Sequence, residues 1–166
     1  MGAALYQSLY PNDKAKVALL NIGSEEIKGT ELLKTTYSKL KVLDEMGDFK
    51  FNGYIEGNHI TKGDCNVIVT DGFTGNIALK TAEGTANFIT DELKKAFNSS
   101  LIGKISAILN LKNLKNFKNK LDPRLYNGAI LLGLDKPVIK SHGSTDSIGF
   151  ANSIKLCEKI IKGKLI

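Results

Sequence analysis

The sequence predicts an α/β fold in which a mostly parallel sheet is covered by helices on both faces. Short apolar runs typical of buried strands alternate with longer segments whose apolar residues recur at helical spacing. Loops rich in glycine and polar residues follow several strands, as is common at the carboxyl edge of such a sheet. The 166 residues contain no internal repeat and no linker, so we expect a single domain over residues 1–166.

The first half of the chain predicts three strands and one helix. The continuous apolar run KVALLNI is typical of a buried strand, and two later runs, one alternating and one apolar, are also typical of strands. Leucines at helical spacing between the first and the second of these runs indicate a helix. The residues before the first strand read as the end of a helix. The predicted strands are Lys16–Ile22, Phe49–Ile55 and Asn66–Thr70, and the helix is Leu32–Met46.

The second half predicts mainly helices. A long helix over Ile77–Phe97 is followed by a second helix or helix pair over Leu101–Leu121. Two short strands, Ala129–Leu134 and Val138–Lys140, are separated at Pro137, and a last helix covers Ser144–Ile161. Its candidate N-terminal caps are Ser144, Thr145 and Asp146.

Composition excludes several classes of protein. The net charge is +6, but a single arginine, Arg124, stands among the 23 basic residues, and we expect no nucleic-acid partner. The charge still favours anionic partners such as phosphate, acidic proteins or a membrane surface. Cys65 and Cys157 have no metal-ligand spacing, so we expect no metal and no cofactor. With no signal peptide and no membrane-spanning run in the sequence, the expected location is the cytoplasm.

Three loops combine glycine with a hydroxyl residue near a predicted helix start. They cover residues 21–31, 71–76 and 141–146. The carboxyl ends of parallel strands share one edge, where free backbone N–H groups and helix dipoles favour a phosphate. None of the loops is a Walker A or GxGxxG sequence, so the pattern leaves both a phosphate site and ordinary turns open.

The segments NIGSEEIKGTEL, VTDGFTGNIALK and PVIKSHGSTDS closely resemble, in order and spacing, the PlsX family of phosphate acyltransferases. The resemblance implies an α/β/α sandwich akin to the isocitrate and isopropylmalate dehydrogenases, a homodimer and a role in bacterial phospholipid synthesis. Its members transfer a fatty acyl group from acyl carrier protein to inorganic phosphate. The acyl-phosphate then feeds a membrane glycerol-3-phosphate acyltransferase.

The resemblance extends to the C-terminal half of the family only. Family members are roughly twice this length and begin with a strand that carries a DAMGGD motif, which is absent from this sequence. Met1 aligns with an internal helix of the family. The resemblance therefore implies either a split gene or a fragment.

Two residues are the candidates for catalysis. The reaction requires a phosphate dianion to be held against a thioester carbonyl and the developing oxyanion to be stabilised. Lys28 is the candidate phosphate or oxyanion contact, with a solvated loop lysine as the alternative. Asn76 is the candidate amide donor to the carbonyl oxygen, with a helix cap as the alternative.

The candidate substrate and phosphate contacts come from all three loops. The glycines either let backbone N–H groups approach a ligand closely or form tight turns. The Thr74 hydroxyl bonds either a phosphate oxygen or the backbone of its own loop. Asp71 reads as an orienting acceptor and His142 as an anion donor or a structural histidine. His59 lies in a polar loop with no companion ligand and is interpreted as structural. The full set is Gly23, Ser24, Asp71, Gly72, Thr74, Gly75, His142, Gly143 and Ser144.

The basic amphipathic segment from Leu101 to Leu121 is a candidate membrane contact. Such a helix lies on an anionic membrane surface or packs as an ordinary helix with its lysines in water. The resemblance implies a projecting helical segment at about 98–122 that serves dimer contact and peripheral association with the inner face of the cell membrane. The candidate contacts are Leu101, Ile105, Ile108 and Leu109.

Three functions remain open on the sequence. The chain is half of a split phosphate acyltransferase, a dimerising and membrane-associating remnant without activity, or a phosphate-binding α/β domain closer to phosphotransacetylase. The loop glycines, the helix caps and the apolar strands are intact, which argues against a sequence that is decaying after loss of function. The missing half argues against activity of the isolated chain.

Overall fold

The computed structural model describes residues 1–143 and 145–163. Its helices are α1 (Gly2–Leu9), α2 (Glu31–Glu45), α3 (Gly72–Asn98), α4 (Leu101–Leu109), α5 (Leu111–Lys120) and α6 (Ser147–Lys162). Its strands are β1 (Lys16–Leu20), β2 (Lys50–Ile55), β3 (Val67–Val69), β4 (Ala129–Ile130) and β5 (Ile139–Lys140). Short 3₁₀ turns cover Gly57–His59 and Pro123–Tyr126.

Backbone contacts divide the chain into two compact units. The first unit comprises Met1–Thr74, Ile130–Val138 and the chain from Leu156 onward. The second comprises Gly75–Ala129 and Ile139–Lys155. That the whole chain forms one domain therefore stays a prediction.

The first unit is built on a parallel sheet in the order β2-β1-β3. The central strand β1 is buried from Val17 to Leu20, with exposed fractions of 8% or less. Ala18 and Leu20 form a core with Ile55 of β2, because a strand with neighbours on both sides loses most of its contact with water. This parallel sheet with its helices confirms the predicted α/β class.

Helix α2 follows its sequence signals closely. The Thr30 hydroxyl accepts a hydrogen bond from the Leu33 N–H at 3.3 Å and caps the helix. After the helix, Gly47 adopts a φ of +88°, a conformation that glycine enters without steric cost. The helix packs on β2, where the Tyr37 ring lies 4.6 Å from that of Tyr54.

Several predicted boundaries were wrong. Helix α3 begins at Gly72 rather than Ile77, so the supposed loop 71–76 is mostly helix. Strands β4 and β5 have two residues each, much shorter than predicted, and the helix predicted from Ser144 begins at Ser147. Ser144 itself lies outside the described residues. The helix-pair alternative for Leu101–Leu121 is confirmed by α4 and α5.

Across the described ranges, no helix is both long and apolar enough to span a membrane.

Candidate functional site

The sheet of the first unit brings two of the predicted loops to one edge. Strands β1, β2 and β3 are parallel, so the segments that follow them leave from the same side. The segment after β1 contains Gly23, Ser24 and Lys28, and the segment after β3 contains Asp71, Gly72 and Thr74. These six candidates therefore belong to one unit and one sheet edge.

Asn21 holds the loop after β1 in shape. Its side chain is 5% exposed and follows directly on the buried strand. The Asn21 side-chain amide donates to the Lys28 carbonyl oxygen at 3.1 Å, and its Oδ1 accepts from the Ile22 N–H at 2.8 Å. A buried side-chain amide is stable only when its hydrogen bonds are made. The two hydrogen bonds of Asn21 join the start of the loop to its end.

Gly29 allows this closure. Its φ is +92°, and a Cβ built there would lie 2.6 Å from Asn21 Oδ1. Both the backbone angle and the space therefore require glycine. The Asn21–Gly29 pair is a site feature that the sequence reasoning missed, although an asparagine directly after a buried strand was a signal for it.

Lys28 is paired with a carboxylate of its own loop. Its Nζ lies 2.8 Å from Glu25 Oε1, and the two side chains are 44% and 55% exposed. The hydrogen bond with Glu25 raises the pKa of Lys28 and lowers the pKa of Glu25. A Cβ at Gly23 would lie 2.9 Å from Lys28 Nζ, so the lysine side chain runs across the glycine. An ionised ammonium group thus lies at the sheet edge beside a buried glycine, while Ser24 is exposed.

Glu26 ties the same loop to helix α2. The Tyr37 hydroxyl donates to Glu26 Oε1 at 2.9 Å, and this hydrogen bond raises the pKa of Tyr37. The neighbouring Glu25 therefore contacts Lys28 while Glu26 anchors the loop. Two adjacent acids in one loop have different structural roles.

Asp71, at the end of β3, is the cap of helix α3. Its carboxylate accepts the Thr74 N–H at 2.8 Å, and hydrogen bonds from Thr74 lower the pKa of Asp71. Helix caps of this kind favour a carboxylate because free N–H groups and the positive end of the dipole lie there. The structure shows Asp71 as an acceptor, and a role in orienting a substrate stays a prediction.

The cap alternative for Asn76 was wrong, because Asp71 occupies that position. Asn76 lies in the second helical turn and is exposed. Gly72, Thr74 and Gly75 are first-turn residues rather than loop residues. A Cβ added at Gly72 would meet nothing within 4 Å, so the helix start is open to an approaching group at this residue.

The third loop lies in the second unit and is organised by Asn127. The Asn127 side chain donates to Ser141 Oγ at 2.8 Å and to Thr145 Oγ1 at 3.0 Å, and it accepts from the His142 N–H at 3.1 Å. The side chains of His142 and Gly143 are exposed. Ser144, another candidate, lies outside the described residues.

Charged groups close the ends of this loop. Asp146 accepts the Gly149 N–H at 3.0 Å, which confirms this candidate as a cap of α6. Arg124 donates to Asp146 at 2.8 Å and to Asp122 at 2.6 Å. The guanidinium of Arg124 lowers the pKa of Asp122 from 3.8 to about 2. No spacing of residue types along the chain predicted the Asn127 and Arg124 contacts.

His59 has polar neighbours in the first unit. Its Nδ1 lies 3.5 Å from Asp64 Oδ2, and its Nε2 lies 3.0 Å from Lys62 Nζ. These contacts are exposed and local, which agrees with a structural interpretation. Within the described ranges, no group of three or more histidine, cysteine or acidic residues is placed to hold a metal ion.

The candidate membrane contacts lie on α4. Leu101, Ile105, Ile108 and Leu109 are 78%, 58%, 65% and 81% exposed. Ser100 caps the helix by accepting the Gly103 N–H at 3.0 Å. The lysines of the following helix α5 are exposed as well. An apolar helix and a basic helix therefore succeed one another in this segment.

Comparison with known proteins identifies relatives along the whole chain. The family model described as fatty acid synthesis protein matches residues 1–166. A phosphate acyltransferase of Pelagibacter ubique (strain HTCC1062) is 67% identical over 166 residues, which is 100% of this chain and 50% of that protein. A phosphate acyltransferase of Erythrobacter litoralis (strain HTCC2594) is 43% identical over 99% of this chain and 46% of its own length. The chain thus spans about half the length of the curated relatives it matches.

Proposed function

The chain belongs to the fatty acid synthesis protein family, and on that premise we propose that it is the C-terminal half of a phosphate acyltransferase. The reaction is transfer of a fatty acyl group from acyl carrier protein to inorganic phosphate. A phosphate oxygen forms a bond to the thioester carbonyl carbon, and the carbon–sulfur bond breaks. The products are an acyl-phosphate and the thiol of the carrier protein, which takes up a proton. This activity serves phospholipid synthesis.

The observation that carries the proposal is the placement of Lys28. Its ammonium group lies at the carboxyl edge of the sheet, in a loop closed by the buried Asn21. The contact with Glu25 is exposed and therefore weak in water. A phosphate dianion replaces Glu25 on Lys28 and gains a fixed cation whose position needs little rearrangement. Gly23 and Ser24 of the same loop complete this part of the phosphate site.

The N-terminus of α3 supports the second part of the proposal. A helix of 27 residues presents free N–H groups and a partial positive charge at Gly72 and its neighbours. Asp71 orients the first turn, Thr74 and Gly75 contact the phosphate, and the exposed amide of Asn76 donates to the developing oxyanion. Lys28 and Asn76 are therefore the proposed catalytic residues.

For the second unit, we propose by family resemblance that His142, Gly143 and Ser144, in the segment between β5 and α6, are donors to an anion. No cofactor is required by this chemistry. The exposed side chain of His142 supports this role, whereas its backbone N–H already donates to Asn127. We include these residues as substrate contacts rather than as acid or base, since phosphate is ionised at neutral pH.

The helices α4 and α5 suit a peripheral membrane contact in a cytoplasmic protein. Leu101, Ile105, Ile108 and Leu109 are exposed, and lysines of α5 follow them. Such a segment places apolar side chains in the interface and lysines against anionic lipids. A lipophilic acyl-phosphate made there reaches a membrane glycerol-3-phosphate acyltransferase over a short path. The same region contributes to a homodimer.

The alternative function is a dimerising, membrane-associating remnant without catalysis. It is favoured by one observation, that the chain spans about half of its relatives. The two functions differ in a measurable way, because a split enzyme gains activity when the other half is supplied.

The test is acyl-phosphate formation from acyl-acyl carrier protein and phosphate. The chain is assayed alone and after co-expression with the half of the Pelagibacter ubique relative that it does not cover. We expect activity in the mixture only. Lys28→Met abolishes it, whereas Lys39→Met, an exposed lysine on α2, leaves it intact. A folded mixture without activity would favour the remnant.

A further inference from the structure

We propose that Asn127 is a positioning residue that holds the loop between β5 and α6 in an anion-binding shape. The inference rests on the proposed function, because it concerns the phosphate contacts of His142 and Gly143. Asn127 lies before β4, fourteen residues from Ser141 along the chain. It is therefore outside the three glycine-rich segments that the sequence singles out.

The side chain of Asn127 makes three hydrogen bonds to one loop. The Asn127 amide donates to Ser141 Oγ at 2.8 Å and to Thr145 Oγ1 at 3.0 Å. Its Oδ1 accepts the His142 N–H at 3.1 Å. Both donors and the acceptor of one amide are thus directed at residues on either side of Gly143. Such a side chain fixes the separation of the residues it joins.

Asn127 is itself fixed by packing. A Cβ added to Gly149, in the first turn of α6, would lie 3.2 Å from Asn127 Nδ2 and closer still to Thr145 Oγ1. Ser153, which is 4% exposed, donates to Ser141 Oγ at 3.3 Å from the next turn of α6. The network therefore extends from a buried helix residue through the loop to Asn127.

Asn127 also has a local connection to charged groups. The side chain of Asn152 on α6 donates to the Arg124 carbonyl oxygen at 2.9 Å, and Arg124 donates to the α6 cap Asp146 at 2.8 Å. The segment 124–127 is thus fixed to the start of α6 at two points besides the loop. The segment that carries Asn127 is therefore held by contacts with α6 that do not involve the loop.

The consequence concerns phosphate binding. Backbone N–H groups and a histidine bind an anion well when they are already directed at it, because little conformational freedom is then lost on binding. Asn127 touches the loop and not the reacting atoms. Its loss should therefore weaken phosphate binding more than it slows the chemical step.

The experiment compares Asn127→Ala with Asn110→Ala in the co-expressed mixture of both halves. Asn110 is the matched control, since it lies in the same unit and its amide donates to the Ser106 carbonyl oxygen at 3.1 Å rather than to the loop. We expect Asn127→Ala to raise the KM for phosphate about tenfold, because the loop loses up to three hydrogen bonds that water replaces only in part. The expected change in kcat is about twofold or less.

A second variant tests the role of charge. Asn127→Asp keeps the acceptor for the His142 N–H, and the hydroxyls of Ser141 and Thr145 can donate to its carboxylate. The loop shape is then retained but a negative charge is added beside it. We expect the KM for phosphate to rise at low salt and to fall back toward the wild-type value at ~1 M salt, where the screening length shrinks to ~3 Å.

The readout that does not depend on activity is the amide NMR spectrum of the chain during titration with inorganic phosphate. We expect saturable shifts of the His142 and Gly143 amides in the wild type and Asn110→Ala proteins, and weaker binding in Asn127→Ala. An inactive mixture with these shifts would reject the proposed function and sustain the inference. Equal phosphate affinity in wild type and Asn127→Ala, or no saturable shift in the wild type, would overturn it.

Discussion

At the scale of single residues, the loop after β1 depends on one asparagine and one glycine. Asn21 is buried and bonds to both ends of the loop, and the backbone of Gly29 passes against its side chain. The loop in turn carries Lys28 and its partner Glu25. A residue with no direct part in the proposed chemistry therefore decides where the candidate catalytic cation lies.

Gly29→Ala should destabilise the first unit by ~1–3 kcal/mol, because alanine would have to adopt a strained φ and its Cβ would displace Asn21. Urea unfolding at neutral pH measures the change. Gly47→Ala is the matched control, since Gly47 has a similar φ of +88° and nothing within 4 Å of its added Cβ. The control isolates the backbone cost. Equal losses for the two variants would contradict the contact with Asn21.

At the scale of elements, the start of α6 is stabilised by an arginine held between two carboxylates. Arg124 contacts Asp122 at 2.6 Å and Asp146 at 2.8 Å. Asp146 also caps α6 through the Gly149 N–H. These contacts join the 3₁₀ turn Pro123–Tyr126 to the helix that follows the third loop, within the second unit.

This arrangement predicts a dependence on acidic pH. Arg124 lowers the pKa of Asp122 from 3.8 to about 2, so the folded state holds this carboxylate ionised where the unfolded chain takes up a proton. The contribution to stability is complete above pH 3.8 and is lost as the pH falls toward 2. We expect the free energy of unfolding of Asp122→Asn to fall less steeply than that of the wild type between pH 4 and 2. Parallel curves would exclude the ion pair as the cause.

The helix pair α4–α5 gives a second prediction at this scale. Lys112, Lys115 and Lys118 recur every three residues on α5 and are exposed. Replacing all three with glutamate should leave the circular dichroism spectrum intact and lower binding to anionic vesicles, since each lysine near such a surface contributes ~1 kcal/mol. Glutamates at Lys136, Lys155 and Lys159 make the same charge change elsewhere. Unchanged vesicle binding of the α5 variant would reject the membrane contact.

At the scale of the whole molecule, large apolar side chains remain in contact with water. On α3, Phe73, Ile77 and Phe88 are 80%, 52% and 66% exposed, and that helix has no buried residue among those the structure describes. Apolar helix surfaces of this extent usually mark an interaction with another protein segment. The relatives are about twice as long as this chain, and we expect the half that it does not cover to pack against this apolar surface.

The chain alone should therefore form assemblies larger than the proposed dimer, and the uncovered half of the Pelagibacter ubique relative should suppress these larger assemblies and raise the melting temperature. Light scattering coupled to size-exclusion chromatography measures the first effect, and thermal unfolding of the mixture measures the second. We expect both effects because exposed apolar area is buried on association, which stabilises the protein by ~25 cal/mol per Å². A monomer at every concentration, with a melting temperature unaffected by the other half, would contradict this expectation.

Local patterns along the chain were sufficient to predict the class of fold and most of the element order. Apolar runs such as Val17–Leu20 and leucines at helical spacing in α2 report burial directly, because both depend on residues near one another in the chain. The helix capped by Thr30 is an example in which the capping residue stands beside the element that it begins. The family resemblance also followed from three local segments.

The tertiary structure decided which residues hold those segments in place. The start of α3 was misplaced because the Asp71 cap was not recognised before Gly72, and glycines in the first turn resemble a loop in sequence. The contacts of Asn127 with Ser141 and Thr145 join residues 14 and 18 positions apart. No periodicity or spacing rule reaches across such a distance, since the partners meet only when the backbone between them has folded.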